Sequence, residues 1–476
     1  MPSSSRPTSP LVLAIDIGTS SVRTALFDRE ARIIRSSKAS QTYRVRHSLD
    51  HAAELDPAVL LRAAKKCLHQ TRSRLTRSHP TVVAGCGCWH SLLGVDRAGD
   101  PLTPIYTWAD ARSAPDAARL REQFDEQTIQ QRTGCLLRAS FWPAKLAWLR
   151  RTEPQLVRRV ARWLSPAEWL FEKVFGARGC SHSMASGTGL YDTGRRSWDD
   201  ELLAHAGLTT SQVGSLGDKL ESDGTIFLPA IGDGAAGNIG SGATRPGLVA
   251  INIGTSAAVR TIPPNDAPLP LGLFRFLIDE QRTLLGGAIS NAGNLHAWCL
   301  RELRLPDNSR TIEKLLRSAD RSGAGLTILP FWVEERAPTW PENIAGAIVG
   351  ITQATTAADL FWAIIAASCH RLAEILALLE TAAGRAKKII VSGGILQSPA
   401  SLQILADSLG RELYVCTEQE ASLRGAAIHA VEQIGGKVDP PKTGRRIRPD
   451  RRRARAAGER RRKERALEDL LLGFGQ

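Results

Sequence analysis

Ile15-Asp16-Ile17-Gly18-Thr19-Ser20 returns, with one change, as Ile251-Asn252-Ile253-Gly254-Thr255-Ser256. In each copy an apolar, β-rich run (residues 11–17 and 248–253) ends in Gly-Thr-Ser and continues into a second extended run. That pattern predicts a hairpin whose tight turn offers backbone N–H groups and hydroxyls to an anion. A single turn of this kind most often only reverses the chain. Two copies of one hexapeptide in similar contexts point instead to a phosphate-handling protein built from two related halves. Only the first copy has a carboxylate, Asp16 against Asn252, so the halves share a shape and divide the chemistry. A duplicated turn facing its twin across a cleft would grip a nucleotide's polyphosphate from both sides.

At 476 residues the chain exceeds what one hydrophobic core organises. The repeat divides it into a loose arm (residues 1–10), a first domain (11–242), a second domain (243–440) and a basic tail (441–476). Hydrophobic content of 43% and charged content of 23% are ordinary for a soluble globular protein. No window reaches the ~18 uninterrupted apolar residues of a membrane span; even residues 361–379 carry His370, Arg371 and Glu374. The first ten residues lack an apolar signal core, so a cytoplasmic protein with no membrane partner is expected. Eight scattered cysteines with no CxxC pair read as reduced core thiols rather than a metal site.

The net charge of +14 raises nucleic acid as a partner, but its distribution argues otherwise. Residues 442–465 hold 13 Lys or Arg against 3 Asp or Glu, most of the chain's excess. The segment that follows, Ala466-Leu467-Glu468-Asp469-Leu470-Leu471-Leu472, has an apolar stripe at helical spacing. The tail therefore reads as a solvated helix packed by its apolar end, with Leu467, Leu470 and Leu471 against the second domain. Nucleic acid is not expected as a partner, and a homodimer is compatible with the sequence.

Three further stretches carry candidate chemistry. Gly232-Asp233-Gly234 opens a run of small residues to Gly242, which lets backbone and ligand approach closely and can start a helix aimed at an anion; an Asp-Gly turn before a tightly packed helix would look the same. Trp89-His90-Ser91 and Trp108-Ala109-Asp110-Ala111-Arg112 combine rings, a carboxylate and a guanidinium, the set that covers sugar C–H faces and meets hydroxyls. Trp108 in the core and a local Asp110–Arg112 ion pair are the plain alternatives. Residues 387–391 read as a buried strand running into Ser392-Gly393-Gly394-Ile395-Leu396-Gln397, with Ser398 as N-cap and Pro399 as first residue of a helix to Leu409. A flat ligand such as adenine would fit that glycine turn.

Together these residues resemble the FGGY carbohydrate kinase family from Leu11 to about Gly435. Its first phosphate motif matches Asp16-Ile17-Gly18-Thr19-Ser20-Ser21, its catalytic aspartate segment Gly232-Asp233-Gly234, and its second phosphate motif Gly254-Thr255-Ser256. Its adenosine signature matches Gly393-Gly394 with Ser398, Gln403, Ala406-Asp407 and Gly410. The resemblance implies a two-domain, actin-like (ribonuclease-H-like) α/β fold with Mg-ATP and sugar in the interdomain cleft. Residues 89–96 and 108–112, with Ala185-Ser186-Gly187-Thr188-Gly189-Leu190 and Glu335-Arg336-Ala337-Pro338, look most like gluconokinases. His296 departs from the family pattern, in a region near the nucleotide.

What the resemblance implies about roles follows. Asp233 would be the catalytic base, and Asp16 would hold Mg²⁺ through water. Gly18, Thr19, Ser20, Ser21, Gly254, Thr255 and Ser256 would meet the phosphates, and Gly393, Gly394 and Gln397 the rest of ATP. His90, Trp108, Asp110 and Arg112, with Asp233, would contact the substrate. For a sugar acid, Arg112 is the first candidate to meet the carboxylate and Lys145 the reserve. The reaction implied is ATP-dependent phosphorylation of a terminal hydroxyl, with gluconate giving 6-phosphogluconate. Alternatives are a xylulose or other ketose or polyol kinase, a non-catalytic sugar or nucleotide sensor, and a nucleic-acid binder acting through the tail.

Overall fold

The computed structural model describes residues 11–73, 81–217, 219–222, 224–318, 325–341 and 344–474; the arm expected over residues 1–10 lies outside them. The chain forms two compact units. The first takes the residues up to Gly242, then Phe274–Leu284 and Glu420–Pro440; the second takes Ala243–Leu273, Leu285–Gln419 and the residues from Pro441 on. A single cut after Gly242 is thus simpler than the fold. Glu420–Pro440, read from sequence as part of the second domain, folds with the first unit, and the tail folds with the second.

The first unit is built on Val12–Ile17, a strand buried along its whole length, as its unbroken apolar run apart from Asp16 requires. It pairs antiparallel with Ser21–Phe27 and parallel with Val82–Gly87. The sheet runs Leu220–Ser222, Thr225–Phe227, Val82–Gly87, Val12–Ile17, Ser21–Phe27, Ala39–Thr42, and the short Ile231–Gly232 strand also lies on Val82–Gly87. From Gly232 the chain enters the helix Asp233–Ser241. This helix crosses Ala421–Gln433 backbone to backbone. A Cβ on Gly240 would stand 1.7 Å from the Ala421 carbonyl oxygen, and one on Gly425 would stand 1.8 Å from that of Ala236. The small-residue run after Asp233 is therefore the packing surface that fixes the helix.

The second unit repeats the plan. Leu248–Ile253 pairs antiparallel with Ala257–Thr261 and parallel with Lys388–Gly393. Its sheet continues on one side to Thr283–Ile289 and on the other through Leu413–Cys416 to Thr443–Ile447. The correspondence holds residue by residue. Asp16 and Ile17 lie opposite Cys86 and Gly87, as Asn252 and Ile253 lie opposite Ser392 and Gly393. The cross-strand pair is kept with its chemistry changed: the Asn252 amide donates to Ser392 Oγ at 2.9 Å, whereas opposite Asp16 stands the Cys86 thiol, which lies 3.7 Å from the Ser422 carbonyl.

The second core is organised by Ala357–Ala383, started by a capping box in which Thr356 and Asp359 satisfy each other's backbone N–H. By length and composition this helix would suffice to cross a membrane, yet most of it is buried inside the unit. The tail supplies the edge strand Thr443–Ile447 and the helix Arg451–Phe474. That helix docks by polar groups, and the leucine-stripe expectation is corrected for Leu470, which is 57% exposed. Glu468 is buried and accepts from Arg371 Nη1 at 2.7 Å and from the Thr339 hydroxyl, while Glu464 holds His370 Nδ1 at 2.9 Å. All eight cysteines are free thiols.

Candidate active site

Strand ends place the two carboxylates of the first unit. Ile17 and Gly232 flank Gly87 from either side in register, so Asp16 sits one residue before that level and Asp233 one after it. Both lie at the carboxyl end of the parallel strands, where open α/β sheets hold their ligands. Asp233 is the first residue of its helix, and its Oδ1 accepts from the Gly234 N–H at 2.7 Å. Asp16 is 1% exposed. Burial pushes its carboxyl above the ordinary carboxylate range, Arg23 pulls it down, and the charge of Asp233 pushes it up again. Arg23 bridges from Asp16 to Glu420 Oε2 at 2.7 Å, and Lys38 pairs with the same Glu420.

Beside Asp16 the hairpin turn is tied down. The Gly18 N–H donates to the Ser21 carbonyl at 2.9 Å, and the Gly18 carbonyl accepts from the Tyr43 hydroxyl. The Thr19 hydroxyl accepts from the Trp108 indole at 3.1 Å and lies 3.2 Å from Cys88 Sγ. Ser20 is exposed and Ser21 half-buried. Trp108 is therefore joined to the Gly-Thr-Ser turn, neither buried in the core nor free of the protein.

Trp89 is buried, and its indole fills the room that side chains at 232 and 187 would need: a Cβ at Gly232 would stand 1.8 Å from Cε2 and one at Gly187 2.2 Å from Cδ1. Its Nε1 donates to the Ser183 carbonyl at 2.9 Å, and Ser183 Oγ accepts from the Gly232 N–H at 3.1 Å. The segment His182–Ser186 thus holds both Trp89 and the residue before Asp233. His90 follows with a left-handed backbone (φ 68°), a conformation that costs a non-glycine residue about 1–3 kcal/mol and that packed structure must enforce. Its ring bonds the Gly187 carbonyl and meets Phe141 edge-on at 4.7 Å.

Asp110 and Arg112 form the ion pair that was the plain alternative. Asp110 is 1% exposed; Arg112 Nε and Nη2 bond its two oxygens at 3.1 and 2.6 Å. Nη2 also reaches Glu54 Oε1 at 2.6 Å, and the guanidinium lies 4.5 Å over the Trp148 ring. Burial works against the Arg112 charge, and Asp110 and Glu54 outweigh it, holding the pKa above the ordinary arginine value. Arg112, the first candidate to meet a substrate carboxylate, thus already holds two carboxylates of the chain itself. Lys145, the reserve, is buried, with its ammonium on the Ala139 and Ser140 carbonyls at 2.9 and 2.7 Å.

In the second unit the repeated turn is one residue tighter. Ile253 pairs with Ala257, whereas Ile17 pairs with Val22. The Gly254 N–H donates to the Ser256 carbonyl at 2.9 Å, and the Gly254 and Thr255 carbonyls accept from Gly293 and Asn294, which start the helix Gly293–Glu302. Gly254 and Thr255 are exposed. Gly393 has φ 94°, and a Cβ there would stand 2.3 Å from the Ile253 carbonyl oxygen, so the strand end demands glycine. Gly394 and Gln397 are exposed beside it. The helix begins as expected, with Ser398 as N-cap and Pro399 first.

Gln403 and Asp407 do not share that place. Asp407 Oδ1 accepts from Gln403 Nε2 and from the Asp450 N–H, and Gln403 also donates to the Arg448 carbonyl, so this part of the signature anchors the tail. Gly410, at φ 62°, caps the helix. His296 is half-buried against Phe361 at 5.2 Å, and burial lowers its pKa. Sequence reasoning missed Arg23, Tyr43, Glu54, Ser183 and Glu420; only Arg23 carried a signal, being a charge inside a strand two residues beyond Ser21.

Among the described residues no cluster of three metal-ligating side chains occurs. Mg²⁺ does not need one, since it keeps waters and takes phosphate oxygens with one or two carboxylates. Asp16 and Asp233 fit that demand: each raises the cost of charge on its neighbour, and a divalent cation would relieve it.

Compared with known proteins, the N-terminal domain of the FGGY family of carbohydrate kinases matches residues 11–226, and the C-terminal domain of the same family matches residues 249–433. A gluconokinase of Bacillus subtilis (strain 168) is 27% identical over 459 residues, covering 90% of this chain and 88% of that one. A xylulose kinase of Streptomyces rubiginosus is 29% identical over 454 residues, covering 92% and 90%. Among solved structures, a ligand-bound xylulose kinase and a gluconate kinase, both from Lactobacillus acidophilus, each align with a TM-score of 0.88, at 22% and 21% identity, covering 97% of this chain and 98% of theirs. These last two bear on fold alone.

Proposed function

The chain belongs to the FGGY family of carbohydrate kinases, with that family's two-domain, actin-like α/β fold, and from this premise we propose that it phosphorylates gluconate at its terminal hydroxyl using Mg-ATP. The observation that carries the catalytic reading is the pair Asp16 and Asp233 at the strand ends of the first unit, beside a Gly-Thr-Ser turn. Phosphoryl transfer passes through a loose transition state, so alignment and charge neutralisation do most of the work. Asp233 accepts the proton of the acceptor hydroxyl and holds that oxygen in line. Its place as first residue of a helix clamped by Gly240 and Gly425 keeps the carboxylate from moving. Asp16 is the carboxylate assigned to hold Mg²⁺ through water. When bound, the ion neutralises charge on the phosphate oxygens.

Gly18 to Ser21 and Gly254 to Ser256 are assigned to the phosphates, and Gly393, Gly394 and Gln397 to the rest of the nucleotide. Because Thr19 already bonds Trp108, its hydroxyl links acceptor and phosphate ends of the machinery. His90 and Trp108 are assigned to the sugar. Asp110 acts by holding Arg112 rather than by touching ligand. The similarity to gluconokinases supports gluconate, with Arg112 facing the acid group as one member of a charge cluster. A second reading, a ketose such as xylulose, is favoured by one observation: Arg112 already carries the carboxylates of Asp110 and Glu54.

Measuring ADP release from the purified chain over gluconate, xylulose, ribulose, sedoheptulose and glycerol tests both. The proposal expects the highest kcat/KM for gluconate. A clearly higher value for an uncharged sugar would establish the second reading, and no turnover on any of them would remove the catalytic one. We also assign the chain to the cytoplasm.

A further inference from the structure

In the second unit the tail helix Arg451–Phe474 roofs a small pocket of about 50 Å³, with walls from Ser309–Ser318, Ala357–Ala383 and Pro399–Leu409. The proposed function leaves it unused. Trp362, Ile404 and Ala457 make it partly apolar, while Arg317, Arg453 and Arg460 bring three cations against one carboxylate, Asp407. Two of these cations are answered. Glu313 lies 3.9 Å from Arg317, and Arg453 pulls against the burial that raises the Asp407 pKa.

Arg460 is different. Its guanidinium lies 4.8 Å over the Trp362 ring, and its Nε and Nη1 are buried with no hydrogen-bond partner among the described residues. Burial lowers its pKa below the ordinary arginine value; Glu464 and Glu459 only oppose that. Glu464 is itself engaged by His370 through both oxygens. Guanidinium donors left buried and unpaired are costly, and a turn of the Arg460 side chain toward an oxyanion in the pocket it lines would recover that cost. Cations reaching in from two helices, Ser309–Ser318 and the tail, suit a tetrahedral anion that accepts from several sides better than a planar carboxylate that fills one fork.

We propose that this pocket binds a small phosphate-bearing anion, held by Arg460 with Arg453 and Arg317 beside it, as a site separate from the Gly-Thr-Ser turns. The inference stands on the second unit alone and does not rest on the choice of sugar. The test is calorimetric titration of inorganic phosphate into the full chain saturated with Mg²⁺ and a non-hydrolysable ATP analogue, whose own phosphates then compete at the turns. Wild type should bind one phosphate, and Arg460→Gln should bind it about ten- to hundredfold more weakly, the range for a lost charge-assisted hydrogen bond. No binding to wild type, or equal binding by the two proteins, would overturn the proposal. Should Arg460→Gln fail to fold, Arg453→Gln takes its place, because Arg453 is exposed; severalfold weaker binding is expected, and unchanged binding would overturn the site. Repeating the titration with 6-phosphogluconate, with saturating gluconate filling the sugar side of the active site, separates the sources: tighter binding than phosphate that Arg460→Gln loses assigns the pocket to a sugar phosphate, and equal or weaker binding assigns it to the free ion.

Discussion

The Trp89 indole occupies the space in which a side chain on Gly232 would have to stand, 1.8 Å from a Cβ placed there. Gly232 immediately precedes Asp233, and Trp89 immediately precedes His90, so one contact sets the position of the residue assigned as base and of the one assigned to the sugar together. Gly232→Ala must push a buried ring aside. Overpacking of this kind costs about 1–3 kcal/mol of stability, and a 1 Å misplacement of the base can cost about a hundredfold in kcat. Gly217→Ala, where a Cβ meets nothing within 4 Å, is the control and should leave both melting temperature and kcat in place. Equal kcat in the two variants would show that the contact does not position Asp233.

Asp16 links function to pH with a definite sign. Burial holds its folded-state pKa above the unfolded value, so the folded chain keeps a proton that the unfolded chain has lost. Its contribution to stability therefore declines as pH rises from the ordinary carboxylate value of about 4 through the raised one. Asp16→Asn should match or exceed the wild-type melting temperature at pH 8, with the difference shrinking toward pH 4, while its Mg²⁺-dependent activity falls. A variant that melts lower than wild type at pH 8 and keeps its Mg²⁺ titration curve would contradict both halves.

The Glu468–Arg371 pair predicts a large effect from the tail. Both groups are buried, and removing Glu468 leaves the Arg371 guanidinium with only Glu374 and the Thr339 hydroxyl, at a cost of up to about 3–5 kcal/mol. Glu468→Ala should lose that much in denaturant unfolding. Cutting before Lys442 also strips the edge strand Thr443–Ile447, so the shortened chain should unfold or aggregate rather than stay active with lower affinity for polyanions. A soluble, active chain ending at residue 441 would refute this.

Arg112→Ala reads out the acid group. If the guanidinium meets a sugar carboxylate, KM for gluconate should rise about ten- to hundredfold, with no comparable change for an uncharged sugar. Asp110, left buried, should also lower stability, so both KM values belong at a temperature where the variant is folded. An equal rise for gluconate and xylulose would assign Arg112 to holding Asp110 and Glu54 in place instead.

The parts of the fold legible in sequence were those fixed by neighbours in the chain. The two hairpins, the small-residue helix after Asp233 and the Ser398-Pro399 helix start each follow from a few consecutive residues. What sequence hid was long-range. Glu420 meets Arg23 from almost four hundred residues away, Glu54 meets Arg112, and Gln403 with Asp407 turn to the tail at Arg448 and Asp450 because those backbone groups need partners there. Leu470 reads as core by spacing but stays exposed, since buried Glu468 and half-buried Glu464 dock the helix.

The central claim is that Asp233 is the base of a phosphoryl transfer to a sugar hydroxyl. Its most direct test is single-turnover transfer of labelled γ-phosphate from ATP to gluconate by wild type and by folded Asp233→Asn, with ATP affinity measured alongside. A loss of about a hundredfold or more in the transfer rate is expected, with ATP binding little changed. Transfer at near wild-type rate by Asp233→Asn would contradict it.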